Sequence, residues 1–298
     1  MQPAHLRTHP ALQTGFTLIE LVVSIIITAI VIGFMIMFIA TPVQAYLAQG
    51  RRASLAHEAE ISMHNLDIDL RSALPNSVRY TQSGSVLAIE LWPVVDVASY
   101  RDSGSLGAGN ALHELDFVAA DTSFSNYIAF TKITYPFVSG QHHLVVNNLG
   151  QAGANVYAMN NVITPNGSSI RIDNVSTGSF TPALPANEDH VTISPGFKFA
   201  SASARHHVYL VSTPVRYICN TSTNTLTRYA NYTINSMLST AVPSGGSSSQ
   251  IASMVSSCSI SCIPGTAQCS TVITLNMVFS KDGESLNAMQ QVALDYSP

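Results

Sequence analysis

The chain has 298 residues and a net charge of −4, from 13 Lys and Arg against 17 Asp and Glu. Only 10% of the residues are charged and Ser, Thr, Asn and Gly are plentiful, a balance unusual for a cytosolic enzyme and common in extracytoplasmic β-rich proteins. No basic cluster exists, so the composition carries no nucleic-acid footprint.

Residues 1–15 are short and polar, with His5, Arg7 and His9. They lack an apolar core and an Ala-x-Ala site, which argues against an ordinary secretory signal. From Phe16 to Ala40 the only ionisable side chain is Glu20, and the next charge is Arg51. As a helix, Phe16 to Val43 spans ~40 Å, enough to cross a bilayer core. Burying an unpaired carboxylate in hydrocarbon costs ~2.5 kcal/mol or more. A plain anchor would omit Glu20, so this side chain asks for a partner. The rival reading is an uncleaved signal anchor, with one arginine as its positive-inside signal.

The helix is predicted to continue. Leu55, Ala59, Met63, Leu66 and Leu70 fall on one face, so it changes from apolar all round to amphipathic near Tyr46. Pro42 is a candidate kink. Leu74-Pro75-Asn76 is a natural stop, because a residue before proline resists the helical region. From Val78 onward the pattern is mainly strands: Val86–Leu91, Tyr127–Tyr135, His143–Asn147 and Val208–Ile218. Ser99–Asn110 and Asn160–Asn174 read as loops. Asn220–Thr225 is a turn leading back through Leu226–Ile234. Ser239–Gln250 reads as a flexible link and Ile251–Ser257 as a short helix. Val272–Ser280, the turn Lys281-Asp282-Gly283-Glu284 and Leu286–Tyr296 form a final hairpin.

Gly15-Phe16-Thr17-Leu18-Ile19-Glu20, followed by the unbroken apolar run, resembles the type IV prepilin signature. The resemblance implies that a membrane peptidase cuts between Gly15 and Phe16 and methylates Phe16. It also implies that Glu20 meets the terminal ammonium of a neighbouring subunit in a filament. Two further stretches are similar to minor pilin-like proteins of the MSHA pilus system, the MshO family. These are Ser212-Thr213-Pro214-Val215-Arg216-Tyr217-Ile218-Cys219 with Leu226-Thr227-Arg228-Tyr229, and Pro264-Gly265 with Val272–Phe279 and Ser280–Ser285. Arg71–Val78 resembles the same family and its PilW and GspJ relatives. The likeness covers roughly the first and last 90 residues and leaves about 95–200 unrecognised. It implies an α+β pilin-like fold: a leader at 1–15, a helix at 16–74 with 16–43 in the membrane or filament core, and an antiparallel β-rich head at 75–298. The implied partners are other pilin subunits, the prepilin peptidase, an inner-membrane assembly platform and membrane lipid before assembly, with no cofactor. The implied place is the inner membrane with the head in the periplasm, then the pilus.

All four cysteines lie after residue 218, which suits an oxidising compartment. The resemblance implies a Cys219–Cys258 bridge. Cys262 and Cys269 remain, and a Pro264-Gly265 turn can bring them within bridging reach, although this second pair departs from the family pattern. A zinc site from the same four cysteines is the alternative. His142-His143 and His206-His207 are adjacent pairs, and neighbours on a strand point to opposite faces, so one pair alone is a poor chelator. His57 and His64 share a helix face without a supporting carboxylate motif. Asp67, Asp69 and Glu188-Asp189-His190 make no acid–base pair by spacing and read as solvated surface. Neither G-x-S-x-G nor a phosphate loop is present. The leading expectation is therefore a structural subunit with no catalytic residue and no metal. Its rivals are a type II secretion pseudopilin of the GspJ kind, a minor pilin whose head binds a surface, and a membrane-anchored periplasmic enzyme.

Overall fold

The computed structural model describes residues 15–102, 113–159, 161–180, 183–263, 269 and 272–294. The expected leader, apart from Gly15, lies outside these residues, as do most of the loop at 99–110, the turn at 264–268 and residues 295–296. One helix, α1, runs Leu18–Arg71 and passes through Pro42. The chain divides into two compact units, Met1–Ala53 and Ser54–Pro298. In the first, every side chain from Gly15 to Leu47 is exposed.

In the second unit α1 is followed by β1 (Arg79–Ser83), β2 (Val86–Leu91) and β3 (Val94–Tyr100). Then come β4 (Asp121–Ile128), β5 (Phe137–Ser139), β6 (His143–Val146), β7 (Ser169–Asn174), β8 (Asp189–Phe197) and β9 (His207–Val211). The last six are β10 (Val215–Asn220), β11 (Thr225–Ala230), β12 (Ser247–Ala252), β13 (Val255–Ile263), β14 (Val272–Lys281) and β15 (Glu284–Ala293). They form three sheets: five strands ordered β1-β2-β10-β11-β12, seven ordered β5-β7-β8-β4-β3-β9-β6, and three ordered β13-β14-β15. Every pairing between these strands is antiparallel. The chain is thus α+β, with an amphipathic half-helix on antiparallel sheet.

Leu55, Ala59, Met63, Leu66 and Leu70 of α1 are buried against Leu87, Ile89 and Leu91 of β2, Tyr217 and Cys219 of β10, and Leu275 and Met277 of β14. A second core fills the seven-stranded sheet around Phe124, Ile172, Val191 and Leu210. A third, with Trp92, Leu74 and Val145, lies under the helix end and the β2–β3 junction.

The unrecognised middle of the sequence is the seven-stranded sheet, inserted between β2 and β10, which are neighbours in the five-stranded sheet. Its incoming and outgoing strands pair with each other, with Val94 opposite Val211. Val208–Ile218 is accordingly two strands in different sheets, parted at Ser212–Pro214. Other local expectations also change. Strand β4 stops at Ile128, because backbone N–H groups beyond it donate to buried carboxylates instead of to a neighbouring strand. Ser99 and Tyr100 end β3, and Ser169–Asn174 is β7. Ile251–Ser257 is extended, since a short apolar run has no helical period to distinguish it. The final hairpin turns at Asp282 (φ 48°) and Gly283 (φ 82°), the left-handed pair that a two-residue hairpin demands.

Candidate functional site

Thr17 opens the helix. The Glu20 N–H donates to the Thr17 carbonyl at 3.1 Å and to its Oγ1 at 3.4 Å. This places Glu20 in the first turn, where the helix dipole favours a negative charge. Hydroxyls further along turn back onto the helix. Ser24 donates to the Glu20 carbonyl at 2.7 Å, Thr28 to Ser24 at 2.6 Å and Thr41 to Met37 at 3.1 Å. A hydroxyl that has donated its proton within the helix costs less in hydrocarbon. α1 is also long and apolar enough to cross a membrane. Phe16, the first side chain after Gly15, is 77% exposed.

The head shows how this chain treats a carboxylate inside apolar surroundings. Glu90 interrupts the apolar run of β2 and is 1% exposed. Arg79, Glu90 and Arg216 lie in register across β1, β2 and β10. Arg79 Nε donates to Glu90 at 2.7 Å, Arg216 donates through Nε at 2.9 Å and Nη2 at 2.7 Å, and the Tyr232 hydroxyl donates at 2.6 Å. The remaining guanidinium N–H groups reach the carbonyls of Asn235, Ser236 and Ala241. Burial beside this carboxylate holds the Tyr157 and Tyr232 hydroxyls far above their ordinary pKa. A buried ion cluster is tolerable when its charges are paired and hydrogen-bonded, as here. Glu20 differs: among the described residues no ion pair or hydrogen bond reaches its side chain.

Two other carboxylates clasp the lower half of α1 to the sheets. Asp69 accepts from Arg228 Nε at 2.7 Å and from the Tyr217 hydroxyl at 2.6 Å. Glu58 accepts from the Ser253 and Met254 N–H groups at 2.9 and 3.0 Å. Asp67 pairs with Arg71 one turn on.

Glu188 and Asp189 are not solvated. Glu188 pairs with Arg101, and Asp189 accepts from Asn126, Phe130 N–H and the Tyr135 hydroxyl. Their partners lie far away in sequence, which hid them from local reading.

Sulfur is used in bridges. Cys219 of β10 is bonded to Cys258 of β13, with Cα atoms 6.6 Å apart. Cys262 is bonded to Cys269, at 5.3 Å. No cysteine is left to ligate a metal. The two histidine pairs do not converge. Strands β6 and β9 are neighbours, but His143 faces Val211 while His207 begins β9 at its other end. His143 donates Nδ1–H to the Thr164 carbonyl at 2.8 Å, and burial lowers its pKa. It lines a cavity of about 350 Å³ with Gln141, Asn166, Thr213, Asn231 and Tyr232. A second cavity, about 250 Å³, lies among Asn76, Asn147, Arg205, His207 and Tyr209.

The signal that sequence reading passed over was Glu90. Like Glu20, it is a lone acid in an apolar run, and the same physical question applies to both.

The chain matches the family described as "Prokaryotic N-terminal methylation motif" over residues 11–36. That span contains Gly15, Phe16, Glu20 and most of the apolar run. No curated protein and no solved structure matches the chain.

Proposed function

We propose that the chain is a type IV pilin-like structural subunit, made as a prepilin, cut between Gly15 and Phe16 and methylated on Phe16. The methylation motif supports the pilin-like class. The observation that carries the proposal is the contrast between the two lone carboxylates, Glu90 saturated within the head and Glu20 without a partner. In this reading the apolar helix stores the subunit in the inner membrane with its head in the periplasm. Docking then brings the ammonium of a neighbouring subunit's Phe16 to Glu20, and a desolvated carboxylate gains its counter-charge only on assembly. Its partners are other pilins, the prepilin peptidase and the assembly platform. Within the class, the C-terminal likeness favours a minor pilin of an MSHA-like pilus over a GspJ-like pseudopilin. The head serves to select neighbours, and the inserted sheet with its two cavities is the place for any surface recognition.

Mass spectrometry of the full-length protein extracted from membranes tests the processing. The expected first residue is N-methyl-Phe16, and Gly15→Leu should leave residues 1–15 attached. A chain that still begins at Met1 beside an active peptidase sinks the proposal. Glu20→Ala should leave cleavage intact and cut recovery in sheared filaments by tenfold or more. Equal recovery would remove Glu20 from assembly.

A further inference from the structure

The three-stranded sheet has two edge strands, β13 and β15. At β13 the Cys219–Cys258 bond ties it to β10 of the five-stranded sheet. At the other side, β15 has no strand beside it among the described residues. Strand β15 is ten residues long and pairs with β14 from Glu284 to Ala293 without a bulge. Other edges are blunted. Strand β1 has five residues, β5 three and β6 four, and β12 and β13 each meet their neighbour through a bulge. From Ser285 to Leu294 no side chain is charged. A long, regular, uncharged edge is what soluble proteins ordinarily avoid, because it templates another strand.

The core is unfinished along this edge. Leu286 and Ala288 pack on the core shared with α1 yet are only partly buried, and Met289 on the other face is 70% exposed. The backbone is equally ready. Lys281 and Glu284 flank the two-residue turn and form a hydrogen-bonded pair, so pairing to β14 alternates from there. Leu286, Ala288, Gln290 and Val292 bond inward. Ser285, Asn287, Met289, Gln291 and Ala293 direct their N–H and C=O groups outward.

We infer that β15 pairs antiparallel with β15 of a second copy of this chain, about a two-fold axis at Met289. This register follows from the strand's own composition. Met289 is the centre of the uncharged stretch Ser285–Ala293, so this pairing uses all of it and leaves Glu284 at the outer ends. On the core side it sets Leu286 opposite Val292 and Ala288 opposite Gln290. On the outer side it sets Asn287 opposite Gln291, two amides that can bond to each other, and Met289 opposite itself. Leu286 against Val292 is an apolar pair and Asn287 against Gln291 a polar one, and the new strand covers the half-open row at Leu286 and Ala288. This pairing does not depend on the N-terminal reading.

Single cysteines in the full-length chain test it, since the four natural cysteines are all bonded. Residues opposite one another in a hydrogen-bonded pair are ~5.5 Å apart at Cα, within disulfide reach. Under mild oxidation in membranes, Met289→Cys should form a covalent dimer at least tenfold faster than Ser285→Cys or Ala293→Cys. In this register the latter two meet their own copies only across roughly 27 Å. Equal rates for all three, or no dimer from Met289→Cys, would overturn the inference. A second measurement separates strand pairing from association through α1. Met289→Lys and Met289→Glu should each leave the detergent-solubilised chain monomeric, and mixing the two should restore the dimer. A dimer that survives Met289→Lys belongs to the apolar helix and rejects this interface. Both substitutions lie on an exposed face, so near-ultraviolet circular dichroism should stay as in the parent chain.

Discussion

At Asp189 two effects oppose each other in one side chain. Three donors, the Asn126 amide, the Phe130 N–H and the Tyr135 hydroxyl, each favour the ionised carboxylate. Full burial opposes them and wins, and the pKa is pushed up to about 6 from 3.8. A carboxyl group whose folded pKa exceeds its unfolded pKa stabilises the fold most below the unfolded value. That contribution is lost as pH rises through the folded value, so the window runs from about pH 4 to 6. Asp189→Asn should remove it. The new amide can keep its oxygen toward Phe130 and Tyr135, and a flip of Asn126 would meet it with an oxygen that is buried and unpartnered at present. Denaturation of parent and variant from pH 3.5 to 7 should give a difference that shifts in the variant's favour by on the order of 2–3 kcal/mol as pH rises. A constant difference would show that Asp189 titrates as an ordinary exposed acid. Glu188-Asp189-His190 looks like a solvated turn because polarity is a local property of sequence. Burial here comes from partners 59 residues away at Phe130 and 87 away at Arg101.

At the scale of the element, α1 divides its roles by composition. The run from Phe16 to Val43 has no apolar partner in its own unit, while the half from Ser54 presents an apolar stripe to the sheets. That stripe was legible, because a helical period repeats within a dozen residues and burial followed it at Leu55, Ala59, Met63, Leu66 and Leu70. The hairpin of β14 and β15 was legible for the same reason, a period of two on either side of Asp282-Gly283. The polar clasps were not, since nothing near Asp69 announces Arg228. Nor was the break between β9 and β10, because alternation persists across Pro214 while the chain changes sheets. The two kinds of contact on α1 should differ in weight. Leu66 is fully buried, so Leu66→Ala should cost about 2–5 kcal/mol through lost transfer energy and a residual cavity. Asp69→Ala leaves Arg228, whose side chain is 31% exposed, free to find water, and should cost about 1–2 kcal/mol. Chemical denaturation of the full-length chain in detergent measures both. A larger loss at Asp69 would mean that the clasp, and not the stripe, fixes this half of α1 to the sheets.

At the scale of the whole molecule, the head is a small α+β frame with a large sheet inserted through one junction. The frame is α1 from Ser54 with the five- and three-stranded sheets. The insertion leaves from Leu91 and returns at Val215, and these two residues are paired neighbours in the frame. Its own first and last strands are also paired. A sheet that enters and leaves through adjacent paired strands can grow without moving the frame. The disulfides belong to the frame and not to the insertion. Cys219–Cys258 closes a loop of 39 residues and joins two sheets, whereas Cys262–Cys269 closes one of 7. Loop-closure entropy assigns them about 4 and about 2 kcal/mol. Replacing both members of the first pair by serine should therefore cost about twice as much stability as replacing the second pair. Hydrogen exchange should locate the loss. Protection should fall in β13, β14 and β15, where the bond to β10 is gone, and stay unchanged from Val94 to Val211. If protection instead falls throughout the inserted sheet, frame and insertion fold as one cooperative unit, and the insertion is a structural member of the head and not a passenger on it.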